Sequence, residues 1–214
     1  STCRNTAMSP EEIEAHFTRS DGSFAFARWG RAIAPVVFGV DDKTLDVIRS
    51  AIRATCDLVG QEMGDMDAEL GSNLMMFFFE DWAELIDVPG MDRLVPDLEP
   101  QVARLQAADA NQYRFFRFDE NGAIKACFVF LRMDKHLSGV PAHTLALSQI
   151  VQSLVLWSDT AFREKSGLMM AGDTTVLRPD IAALLRAAYD PILPPAAQDA
   201  SFALRLAARL ETVQ

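Results

Sequence analysis

Residues 73–80 (NLMMFFFE) place the tightest constraint on what this chain can fold into. The run is strand-sized and apolar on both faces, so it predicts a central strand in a sheet rather than an edge. Upstream, residues 32–40 (AIAPVVFGV) read as a second strand. Pro35 cannot donate to a ladder, so that strand belongs at an edge or a bulge. Residues 112–118 and 123–132 form a third and fourth, joined through Asn121-Gly122. That pair predicts a hairpin in which both residues adopt positive φ.

Helices account for much of the rest. Asp41-Asp42 caps a helix to about Met63, in which Leu45, Ile48, Ile52, Cys56 and Val59 recur on one face. Ser9-Pro10-Glu11-Glu12 starts a shorter one that runs to about Thr18, and residues 81–86 suggest a single turn. Pro96 and Pro100 split residues 92–108 into two pieces. Residues 141–157, 178–189 and 200–212 predict three more helices. The sum is an α+β fold: a tail over residues 1–8, then a single domain over 9–214. Its small mixed or antiparallel sheet carries the long helix packed on it, and another mixed α/β arrangement is the alternative.

Charge and cysteine usage narrow the partners. The formal net charge is −10, so neutralising a phosphate backbone gains nothing and nucleic acid is excluded as a partner. No apolar run reaches the ~18–20 residues of a membrane span. Cys3, Cys56 and Cys127 show neither CxxC nor metal spacing; Cys56 and Cys127 read as buried core thiols, with Cys3 in the polar leader. The chain begins at Ser1 rather than methionine, which leaves room for a removed export segment.

No GxGxxG, P-loop, GxSxG elbow or HExxH occurs. His16 reads as solvated among acids on the first helix, His136 ends the hairpin, and His143 opens the apolar helix. A helical zinc site needs a second imidazole four residues on and a carboxylate between. Here His143 is followed by Thr144, and the fourth residue on is Leu147. Asp159 and Asp173 are the weak metal candidates, since oxygen ligands suit a hard cation; turn formation is the competing reading. Glu80, Asp81 and Glu84 read as the acidic first turn of a short helix. The tryptophans, with Phe24 and Phe26, read as packing residues. No cofactor is expected.

Several segments together resemble an uncharacterised proteobacterial family of exported proteins and lipoproteins. They are Arg28-Trp29 with the 34–39 strand, the helix after Asp41, Asn73-Leu74, Cys127, residues 149–159 (QIVQSLVLWSD) and residues 177–191. The last two also resemble the active-site helix and C-terminal helix of matrixin-like zinc peptidases. Ser148-Gln149 stand where related members carry paired acids, so the resemblance implies a zincin-like scaffold without its metal site. Three functions stay open. The first is a non-catalytic envelope or secreted protein, periplasmic or lipid-anchored, with a structural role or a role in binding a protein or small molecule, Gln149 and Gln152 being the candidates to line a cleft. The second is a hydrolase with an unconventional site around His143 and Asp159, helped by His136 and Asp173. The third is a cytoplasmic protein-interaction domain.

Overall fold

The computed structural model describes residues 7–210, so Cys3 lies outside the described residues. At its centre is a four-stranded mixed sheet in the order β2 (Pro35–Phe38), β3 (Leu74–Phe79), β5 (Ile124–Arg132) and β4 (Gln112–Phe118). β2, β3 and β5 run parallel, while β4 is antiparallel to β5. Proline is tolerated in β2 because the strand is an edge, as its composition requires. β3 lies inside the sheet.

Period-two alternation sends the strand side chains into two separate cores. Leu74 and Met76 of β3 join Cys127, Val129 and Leu131 of β5 in the larger core. On the opposite face Met75, Phe77 and Phe79 meet Ala126, Phe128 and Phe130. The larger core is covered by α1 (Pro10–Phe17), α2 (Asp42–Val59), α6 (Ala142–Leu154), α7 (Pro179–Ala188) and α8 (Phe202–Leu210). The smaller one is covered by a 3-10 turn (Trp82–Asp87), α3 (Met91–Leu94) and α4 (Leu98–Ala107). The molecule is thus α+β, with the chain leaving β2 toward one face and β3 toward the other.

Local signals explain the ends of these elements. The Asp41 side chain accepts from Thr44 N at the start of α2, and Gly60 closes that helix in the left-handed region. The 3-10 turn carries a full capping box between Asp81 and Glu84. Pro96 separates α3 from α4, as the sequence implies.

Three points differ from the sequence reading. The hairpin tip is wider than a two-residue turn: Gly122 alone has positive φ, at 80°, and the Asp119 carboxylate closes the loop by accepting from Asn121 N and Ala123 N. A short ribbon of β6 (Leu168–Ala171) and β7 (Thr174–Leu177) was not anticipated, nor was the pairing of β1 (Phe26–Ala27) with β8 (Ala196–Ala197). Met8, assigned to the tail, is buried in the larger core.

Candidate functional site

Helix α6 lies in the larger core, with Leu147, Ile150, Val151 and Leu154 buried, followed by buried Val155. Its last turn has no glycine cap. Instead Trp157 Nε1 donates to Val151 O at 2.9 Å, Trp29 Nε1 to Ser153 O at 2.8 Å and Tyr189 Oη to Leu154 O at 2.5 Å. Three aromatic donors therefore satisfy carbonyls that a helix end leaves without intrahelical partners. The tryptophans pack as expected, and two of them also cap.

The polar stripe of α6 faces strand β4, where alternation puts Gln112, Arg114 and Phe116 on the same side. Arg114 is half-buried and meets this stripe head-on. Its Nε donates to Ser153 Oγ at 3.1 Å, one terminal nitrogen donates to Gln152 Oε1 at 3.3 Å, and the other donates to Gln149 Oε1. Gln149 Nε2 in turn donates to Gln112 Oε1 at 3.0 Å, while Ser153 Oγ donates to Gln149 O at 2.7 Å. Every one of these acceptors is neutral. Among the described residues no carboxylate lies within ion-pairing distance of the guanidinium. Desolvation accordingly pulls the Arg114 pKa below its ordinary value. The same burial pushes the adjacent Cys127 thiol up to about 11, so it stays protonated and inert at neutral pH.

Arg114 and Gln152 open onto a pocket of about 590 Å³. Phe116, Leu156, Trp157 and Phe162 supply its apolar wall, with Arg19, Asp21 and Asp159 also in the lining. Asp159 does more than tie its own backbone. It accepts from Ser20 N at 3.0 Å and Ser20 Oγ at 2.5 Å, which holds the α1–β1 connector against the end of α6. Those two bonds keep its pKa low. His16, expected in solvent, is half-buried instead. Its ring meets Trp157 edge-on at 5.5 Å and Phe162 at 5.6 Å. Burial, then the nearby Arg178, lower its pKa.

The sequence candidates are thus partly assembled. Gln149 is buried in the Arg114 network and Gln152 lines the pocket. His143 and Asp159 are not brought together: His143 lies in the first turn of α6 and Asp159 beyond its last, the helix rising about 16 Å between His143 and Leu154, and only Asp159 lines the pocket. His143 is exposed, with Nε2 3.4 Å from Thr175 O. His136 is exposed on α5 (Lys135–Ser138), and Asp173 is exposed between β6 and β7. Among the described residues no three His, Cys, Asp or Glu side chains are grouped to hold a metal. Arg114 itself was not singled out. Its signal was an arginine on the same strand face as Phe116, opposite a helix bearing Gln149, Gln152 and Ser153.

Comparison with known protein families, with curated proteins and with solved structures returned no match for this chain.

Proposed function

We propose that this chain is a non-catalytic binding domain whose pocket captures a small carboxylate bearing an apolar body. One observation carries the reading: the Arg114 guanidinium is desolvated beside the pocket, and among the described residues it is held by neutral groups, the side-chain oxygens of Gln149, Gln152 and Ser153 and the Cys127 thiol. A desolvated charge without a counter-charge beside it is unfavourable. An incoming carboxylate removes that cost and matches the planar fork of donors. The apolar wall suits a hydrophobic body. Asp21 and Asp159 in the lining, together with the net charge of −10, disfavour dianions and polyanions.

The resemblance to exported proteins with a zincin-like scaffold supports the same non-catalytic role in an envelope setting, since the helix that would carry the metal ligands carries the glutamines of this network instead. Calorimetric titration with phenylacetate tests the proposal, with phenylacetamide as the uncharged isostere. Phenylacetate should bind at one site, the amide should bind far more weakly, and Arg114→Met should abolish the difference. Equal binding of the two compounds, or carboxylate binding that survives Arg114→Met, would refute it.

A further inference from the structure

The second large concavity lies on the other side of the sheet from the α6 network and has the opposite chemistry. It encloses about 840 Å³ at the carboxyl ends of the parallel strands, where β2 ends at Phe38, β3 at Phe79 and β5 runs into Met133. Its position follows from topology. The chain leaves β2 for α2 on one face, whereas from neighbouring β3 it leaves for the 3-10 turn and α3 on the other. Adjacent parallel strands whose connections part in this way open a crevice beyond their ends, which is where open α/β sheets take up ligands.

The floor of the crevice is sealed by a close approach of the two strands. Gly39 has φ +90°, and a Cβ there would fall 2.1 Å from Phe78 O. No other residue type fits without the strand ends parting. The walls are Phe38, Phe79, Leu85, Val88, Leu94 and Met133. Phe38 stacks on Phe77 at 5.0 Å yet stays 46% exposed, and Val88 is 41% exposed. This is apolar surface that the fold itself leaves open.

Charge decides what such a surface takes. The only charged side chains in the lining are Glu80 and Glu84, both exposed, and among the described residues no cation pairs with either. Glu84 uses one carboxylate oxygen, Oε2, to accept from Glu80 N and Asp81 N, which fixes the carboxylate at the crevice mouth. The volume suits a small molecule rather than a folded partner. We propose that this crevice binds a small hydrophobic amine, with its hydrocarbon against Phe38, Leu85 and Val88 and its ammonium between Glu80 and Glu84. The net charge of −10 adds a long-range attraction for such a cation.

The test is a calorimetric titration with octylammonium, octanol and octanoate, each also run on the Arg114→Met variant. Octylammonium should bind at one site roughly tenfold or more tighter than octanoate, the ratio expected for gaining rather than opposing two surface charges. That preference should persist in Arg114→Met, whereas octanoate held by the α6 pocket should be lost there. Glu80→Gln should cut the preference for the amine severalfold and leave octanol unchanged. Phe38→Ser, at an exposed position that the fold can spare, should weaken the amine and the alcohol alike. Equal affinity for all three ligands in Arg114→Met would overturn the proposal, as would amine binding indifferent to both Phe38→Ser and Glu80→Gln.

Discussion

The two concavities sit on one sheet and are built by opposite means. On the α6 side a strand-borne charge is enclosed by neutral oxygens drawn from a helix far along the chain. At the strand ends, among the described residues, no buried polar network exists, and the crevice is a product of where the connections part. The first depends on individual side chains and the second on topology. Substitutions should therefore erase the one without disturbing the other.

The hardest way to break this comparison is to remove the helix that supplies the polar wall. Leu154 is fully buried, so Leu154→Ala is expected to cost on the order of 2–5 kcal/mol in chemical denaturation, the usual range for emptying a packed position. A neutral result would make α6 peripheral and the whole Arg114 reading untenable. Gln149→Ala comes next. It leaves Arg114 and Gln112 each short of a partner and should cost about 1–3 kcal/mol. Arg114→Met sharpens the contrast: it removes a desolvated cation but leaves Gln149, Gln152 and Ser153 each short of a donor, so a loss of about 1–3 kcal/mol is expected. It should abolish carboxylate binding at that modest cost; a loss well beyond about 3 kcal/mol would mark Arg114 as a structural tie.

Smaller effects test the supporting parts. Gly122→Val forces a β-branched residue into positive φ and puts its Cβ 3.0 Å from Ala196 Cβ, so about 1 kcal/mol or more should be lost. The smallest effect concerns pH. The folded His16 pKa lies below its ordinary 6.5, so the unfolded chain takes up the proton first and folding loses stability as pH falls through that window. Thermal midpoints measured from roughly pH 7.5 to 5 should decline, and His16→Gln should flatten part of that decline. Carboxylates with lowered pKa, such as Asp159, act in the same direction, but only at more acidic pH.

These contrasts also explain what could be read from the residues alone. The central strand, the edge strand with Pro35, the Asp41 helix and the split at Pro96 follow from periodicity, capping and proline chemistry, all local signals. The Arg114 network was not legible in the same way, since it joins residues 35 to 39 positions apart whose types are unremarkable until the strand and helix face each other. Gln149 and Gln152 were visible as a polar stripe, but what they hold was not. The β6–β7 ribbon lay hidden because Gly172-Asp173 reads equally well as any turn. The strand-end crevice needed the parallel pairing of β2, β3 and β5, which no single segment announces.

The aromatic capping of α6 has a spectroscopic consequence. Two of the three tryptophans, Trp29 and Trp157, donate to carbonyls in the last turn of that one helix, whereas Trp82 donates to Ala110 O in the opposite layer. Intrinsic fluorescence therefore watches two places at once. If the layers come apart in separate steps, the emission change will be biphasic. With Trp82 replaced by phenylalanine, what remains is an optical gauge of whether one helix end stays wound.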